Sequence, residues 1–217
     1  MQRSLDLEGP ERKTIWSDLP RRSFVFYEPT FLPLHEADAL FAMLRKDAPW
    51  ESEAPLMFGR QSPIHLAVKR IPIRRASCSF GAEGIVYRYS GLTRPALPWP
   101  EGLRALLPRL EQASGARFNY VLANRYDDGE VGLGFHADDE ADLVPDAPIA
   151  SLSFGAERDF VLRLGKGGNS VAKVALTHGS LLLMTGETQR HYQHAVPVRK
   201  ACKTMRINLT FRCVKRV

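Results

Sequence analysis

Residues 206–212, RINLTFR, alternate without a break: Arg206, Asn208, Thr210 and Arg212 fall on one side of an extended chain, and Ile207, Leu209 and Phe211 on the other. Successive side chains of a strand point to opposite faces, so this stretch reads as a strand with one apolar face and one polar, doubly cationic face. It closes a series. From residue 117 onward, short runs of strand character follow one another: FNYVLANRY, VGLGFHAD, IASLSFG, DFVLRLG, VAKVAL, GSLLLMTG, HYQHAVPV and MRINLTFR, most of them separated by Gly, Asp or Asn. Short strands with turn residues between them predict a β-sandwich or jelly roll.

Upstream the pattern changes. SFVFYEP (23–29) reads as a short strand, and LPLHEADALFAMLRKDAPW as a helix, with Pro33 suited to its first turn and Leu40, Phe41 and Leu44 at helical spacing. GLRALLPRLEQASG (102–115) reads as a second helix that Pro108 can kink or divide. Between them, Pro55, Pro63 and Pro72 punctuate short apolar runs, which predicts loops and short strands. Residues 1–20 are polar, with Pro10 and Pro20, and read as a loosely ordered arm. The predicted fold class is mainly β with flanking helices (α+β), the β core preceded by helices and a basic, proline-rich segment.

At 217 residues and 44% hydrophobic, the chain is long enough for one domain with a sizeable core. It has no apolar run near the ~20 residues that span a bilayer, and its first residues lack a signal-peptide pattern. A cytoplasmic protein with no membrane partner is expected. The 3 cysteines, Cys78, Cys202 and Cys213, form no CxxC pair, which argues against a disulfide framework or zinc ribbon. The net charge of +6 is unevenly spread. No acid lies between Glu53 and Glu83, where Arg60, Lys69, Arg70, Arg74 and Arg75 occur, and none follows Glu187. Two locally basic segments suit a polyanion, or form a solvated basic face.

The stretch GFHADDEADL (134–143) sets one histidine among four acids, Asp138, Asp139, Glu140 and Asp142. It is either a hydrated acidic turn or part of a metal site. On a strand His136 and Asp138 share a face, so one imidazole and one carboxylate can reach a common point. A distant histidine would complete a two-histidine, one-carboxylate set, which leaves three positions of an octahedral metal open, as in non-haem Fe(II) oxygenases. His191 and His194 are both candidates for that place. They cannot share a strand face, and His194 falls on the more apolar set with Tyr192, Val196 and Val198, which makes it the better inward residue. His178, beside Gly179, suits a structural turn, and His35 a surface position. The cationic face of RINLTFR is either exposed or, if it points inward, in need of an anion, because burying unpaired charge is costly. A dicarboxylate would suit, since arginine binds carboxylate with two parallel hydrogen bonds.

Taken in order, NRYDDGEVGLGFHADDE, PIASLSFGAERDFVLR, HGSLLLMTGETQRHYQHAVPVRK and RINLTFR resemble the AlkB-type Fe(II)/2-oxoglutarate dioxygenases, most of all the branch that repairs alkylated nucleic acids. The resemblance is dense over residues 118–212 and thin back to about residue 70. It implies a double-stranded β-helix (jelly-roll) core and a single dioxygenase domain over 1–217, with an N-terminal extension, helix and basic nucleotide-recognition lid in 1–90 and the catalytic core in 91–217. It implies Fe(II) held by His136, Asp138 and His194. It also implies 2-oxoglutarate with its distal carboxylate on Arg206, assisted by Asn124 and Tyr126, and with Asn208 and Arg212 near the metal end. O2 is the oxidant. The implied activity is oxidative demethylation of bases such as 1-methyladenine and 3-methylcytosine in DNA, with RNA as a further substrate, by a monomer. The alternative is the same chemistry on a protein, lipid or small molecule. GIVYRYSG (84–91) matches a family segment that encloses a flipped base, so Tyr87 and Tyr89 are expected there as aromatic walls. Asp139 and Glu140 are expected to meet the base, Asp142 to be solvated, and Lys69, Arg70, Arg74 and Arg75 to meet phosphates. The lid departs from the family pattern: IHLAVKRIP offers His65 and Leu66 where an aromatic wedge is usual, and IRRASCSFG alters the proline–arginine pair.

Overall fold

A computed structural model describes residues 15–52, 75–89 and 92–216, with the side chains of 15–18, 89, 92 and 94 outside the described set. The chain opens with β1 (Ile15–Leu19), β2 (Ser23–Glu28), α1 (Leu34–Asp47) and the short β3 (Glu51–Ser52). Then come β4 (Ala76–Gly81), β5 (Val86–Tyr89), β6 (Leu92–Pro95), β7 (Leu97–Pro98), α2 (Glu101–Arg104) and α3 (Leu107–Ser114). The remainder is β8 (Tyr120–Tyr126), β9 (Leu133–His136), β10 (Ile149–Gly155), β11 (Arg158–Leu164), β12 (Ser170–Leu176), β13 (Ser180–Gly186), α4 (Thr188–His191), β14 (Tyr192–Val196) and β15 (Arg206–Arg212).

Each of the runs read as strands after residue 117 forms one, and they divide between two sheets, four to each. β8, β10, β13 and β15 sit in a 9-stranded sheet ordered β1-β2-β13-β10-β15-β8-β4-β3, with β7 beside β4. β9, β11, β12 and β14 form a 4-stranded sheet ordered β12-β11-β14-β9. Within this set every pairing is antiparallel. The result is the double-stranded β-helix expected.

Two apolar layers hold it. The outward face of the large sheet, including Val121, Leu152, Leu181, Ile207, Leu209 and Phe211, packs against Leu40 and Leu44 of α1 and Leu103, Leu106 and Leu110 of the α2–α3 region. Tyr120, Leu122, Leu182 and Met184 on its other face meet Phe160, Leu162, Val174 and Leu176 of the small sheet. A polar cavity opens in this second layer, lined in part by Leu122, Phe160, Leu176 and Met184.

Three expectations change. Residues 15–19 are not a loose arm: β1 pairs with β2 from Ile15↔Tyr27 to Leu19↔Ser23, and β2 pairs with β13, so this segment extends the large sheet. Pro20 ends the strand, since proline offers no ladder donor. The helix read over 102–115 is two helices that part at Ala105 and Leu106, with Pro108 in the first turn of the second, where its missing N–H costs little. Pro33 caps α1 from the position just before it rather than lying in its first turn.

Candidate active site

The antiparallel pairing of β14 with β9 sets His194 directly opposite His136, with ring centroids 4.2 Å apart. β9 ends at His136, so the strand-face argument for Asp138 covers only half the distance. Asp138 stands in the following loop, where its backbone N–H donates to Gln189 Oε1 (2.9 Å) and its Oδ1 lies 3.9 Å from His136 Nε2. One ligand atom from each of His136, Asp138 and His194 falls within 4.8 Å of the others, a spacing that one metal ion can bridge.

The donor set suits a divalent cation. His136 Nδ1 is 2.9 Å from the Gly134 carbonyl; a carbonyl only accepts, so Nδ1 carries a proton, and Nε2 is the nitrogen that faces Asp138. Burial, with His136 adding to it, pushes the His194 imidazole down to about 3, so the ring is neutral at physiological pH. Burial, the largest single influence, would raise the Asp138 carboxyl, but Arg212 and the two histidines together outweigh it and hold the group at about 2. Arg212 Nη2 donates to Asp138 Oδ1 (2.8 Å), whereas the buried Asp138 Oδ2 has no protein partner. A buried carboxylate oxygen with no protein partner, beside the neutral His194 ring and close to His136, is an acceptor of the kind a metal satisfies. His191 is excluded from this cluster: it lies in α4 and holds Glu187 Oε2 at 3.0 Å. His178 accepts the Gly155 N–H at 2.9 Å, a structural role as expected.

The polar face of β15 turns into the same cavity, of about 260 Å³, which Arg206, Asn208, Thr210 and Arg212 line together with His136, Asp138 and His194. β8 supplies the neighbouring wall, with Tyr126 opposite Arg206 and Asn124 opposite Asn208. Arg206 is 1% exposed; its Nη2 donates to Asn208 Oδ1 (2.6 Å) and Ser153 Oγ (3.0 Å), and its guanidinium lies over the Tyr126 ring at 5.4 Å. Its Nε and Nη1, and Asn124 Oδ1, have no hydrogen-bond partner, and among the described residues no carboxylate pairs with it. Burial lowers this guanidinium to about 10, against the opposing pull of Tyr126. A buried cation with two free donors, in a cavity that also holds a metal-binding cluster, fits the distal carboxylate of a keto dicarboxylic acid.

The outer residues differ more from expectation. Arg75 does not face a phosphate surface: it is buried, lines the cavity and lies over the Tyr126 ring at 5.9 Å. Charge density along the chain does not reveal which side of a strand's entry a side chain takes. Lys69, Arg70, Arg74, His65 and Leu66 lie outside the described residues. Tyr87 is fully buried rather than a cavity wall, because β5 turns it inward against Tyr120 (ring centroids 4.9 Å) and under Arg212 (5.5 Å). Tyr89 ends β5, with its side chain outside the described set. Of the adjacent acids, Glu140 lines the cavity and Asp139 is exposed. The Glu140 carboxyl is raised, first by burial and then by Asp138, with a hydrogen bond to Tyr87 opposing. Asp142 is not merely solvated: its Oδ2 accepts the Arg88 N–H at 3.0 Å and ties β5 to the metal-ligand loop.

Sequence reasoning missed Gln189, which fixes the Asp138 backbone, and Arg158, which is fully buried at the head of β11. Arg158 left a signal: it shares the inward register with Phe160 and Leu162, an odd place for a charge.

A jelly roll that carries two histidines and one carboxylate beside an anion-ready arginine defines a non-haem iron oxygenase by its chemistry. The 2OG-Fe(II) oxygenase superfamily model matches residues 24–212. The mouse (Mus musculus) DNA oxidative demethylase ALKBH2 is 39% identical over 184 residues, 82% of this chain and 74% of that protein. The human (Homo sapiens) protein of the same name is 40% identical over 184 residues, 82% and 68% of the two chains. The Rattus norvegicus alpha-ketoglutarate-dependent dioxygenase alkB homolog 3 is 36% identical over 195 residues, 86% of this chain and 62% of its own. The solved structure of OsALKBH1 superposes with a TM-score of 0.61 at 16% identity, over 92% of this chain and 100% of that one, which shows the shared fold. The chain belongs to the 2OG-Fe(II) oxygenase superfamily, as an AlkB-type dioxygenase that uses Fe(II), 2-oxoglutarate and O2.

Proposed function

We propose that the chain is a DNA oxidative demethylase that restores N-methylated bases, 1-methyladenine and 3-methylcytosine among them, and that it works as one cytoplasmic, monomeric domain. One observation carries the reading: the His136–Asp138–His194 cluster and the unpaired Arg206 fork open into a single cavity, in a chain 39–40% identical to proteins named DNA oxidative demethylases.

In this reading His136 Nε2, Asp138 and His194 hold Fe(II). Arg206 clamps the distal carboxylate of 2-oxoglutarate with Asn124 and Tyr126 beside it, and Arg212 and Asn208 line the end near the metal. Bound together, Fe(II), 2-oxoglutarate and O2 supply oxidation of the methyl C–H, so that the methyl group leaves as formaldehyde with succinate and CO2 as co-products. The protein's share is orientation and exclusion of water. Arg212 keeps Asp138 ionised and aimed. Leu133, Phe160, Leu176 and Met184 make the apolar part of the wall. A base must leave its stack to reach this depth, and methylation at adenine N1 or cytosine N3 makes it cationic. Glu140 lines the cavity, and in this reading it accepts a hydrogen bond from the exocyclic amino group of such a base and offsets its charge.

The test is to incubate the protein with Fe(II), 2-oxoglutarate and oligonucleotides that carry one 3-methylcytosine, in DNA and in RNA, then to digest the strands to nucleosides and identify these by mass. Cytosine should appear in step with succinate in the DNA arm. Succinate without repaired base in either arm would favour the rival reading, a protein, lipid or small-molecule substrate.

A further inference from the structure

β9, which carries His136, is an edge strand of the 4-stranded sheet. Its pairing with β14 is short: His194↔His136 and Val196↔Leu133, with a bulge between them. A slip of one residue turns a strand's side chains to the opposite face, and here it would take His136 away from His194. Something beyond this ladder must hold the register. Arg158 Nη2 donates to Val131 O (2.9 Å) and Pro197 O (2.6 Å), the carbonyls that lie just past the Leu133 and Val196 pair on the two sides. Its Nη1 donates to Asp128 O at 3.2 Å, and its guanidinium also approaches the Tyr126 ring, at 5.9 Å. The residue is fully buried, and among the described residues its hydrogen bonds go to carbonyl oxygens and its charge meets no carboxylate. The two segments it joins also lie backbone to backbone: a Cβ at Gly132 would stand 2.6 Å from Val196 O.

We propose that Arg158 is a positioning residue of this active site. It continues the β9–β14 ladder where the backbone pairing stops, and so fixes His136 opposite His194. Through Tyr126 it also steadies the wall facing Arg206. The proposal rests on the reading of His136 and His194 as metal ligands. The fork suits this task because one nitrogen serves both strands while the other reaches the Asp128 turn; a lysine ammonium would bring all its donors to a single point.

The test is a Co(II) titration followed by the visible absorption of the bound ion, without turnover, in wild type, Arg158→Met and Arg158→Lys. Groups that orient a metal's ligands change affinity by about 10–100-fold when removed. Arg158→Met should bind Co(II) at least about tenfold more weakly, with an altered spectrum, and Arg158→Lys should fall between it and wild type. A lower melting temperature with wild-type cobalt affinity and spectrum in both variants would overturn the proposal, because the arginine would then only stabilise the fold. Should Arg158→Met not fold, Arg158→Lys decides alone: a several-fold loss upholds the proposal and unchanged binding overturns it. No cobalt binding by wild type would overturn the metal reading and this proposal with it, whereas tight binding that both variants retain overturns this proposal only.

Discussion

Arg206 and lysine carry the same charge, so their exchange isolates geometry. The guanidinium already spends one nitrogen on Asn208 and Ser153 and keeps two donors free. A lysine cannot both hold Asn208 and grip a carboxylate with a parallel pair of bonds. Loss of one charge-assisted bond, about 1.5–3 kcal/mol, predicts that Arg206→Lys raises KM for 2-oxoglutarate roughly 10- to 100-fold. Affinity for oligonucleotide should stay near wild type; a loss there instead would make Arg206 a phosphate contact. The adjacent acids offer a second contrast. Glu140 lines the cavity and Asp139 is exposed, so Glu140→Gln should slow repair of cationic 3-methylcytosine more than of neutral 3-methylthymine, while Asp139→Asn should alter neither by more than about twofold. Comparing kcat/KM for both variants on both lesions checks this, and equal losses on the two lesions would remove the charge-sensing role.

At the scale of elements, β15 divides structure from function between its two faces. Phe211 is fully buried against Trp99 and Phe118. Phe211→Ala should cost about 3–5 kcal/mol, read as a lower denaturation midpoint at an unchanged slope. Asn208→Ala, on the other face, should act mainly on the 2-oxoglutarate requirement. This division was legible in RINLTFR because alternation is a local property, as was the rest of the β core. The limits were just as physical. His136 and Asp138 looked like strand neighbours, but the strand stops at the first and the loop after it aims the second. Arg158 escaped notice as a functional residue because its partners are carbonyls 27–39 residues away, which carry no side-chain signature. Arg75 was expected at phosphates from its acid-free stretch and Tyr87 at the base from a family segment, whereas burial decides their roles. The basic segment can now be divided: Lys69→Ala, Arg70→Ala and Arg74→Ala together should lower the salt dependence of DNA binding by about 1 unit for each phosphate that is no longer neutralised. Arg75→Ala should leave that slope alone and weaken 2-oxoglutarate binding.

The whole molecule is built so that its site does not carry its fold. The two apolar layers close on either side of the large sheet, and the cavity lies within the inner one. Chelation should therefore leave the β circular-dichroism signal intact. Refilling with metal at about 100 times its Kd should add about 2.7 kcal/mol, a rise of roughly 5–11 °C in Tm for a chain of this size. An unfolded apo protein would mean that the metal is structural. The central claim is that one cavity holds the metal and directs it at a methylated base. His194→Ala tests this most directly, because it removes a neutral ligand, whereas Asp138→Ala would also strand the Arg212 charge. The measurement is formaldehyde released from a DNA oligonucleotide bearing 3-methylcytosine, wild type beside His194→Ala, with both shown to be folded. The account predicts stoichiometric release by wild type and loss of all detectable release in the variant; wild-type yield from His194→Ala would contradict it.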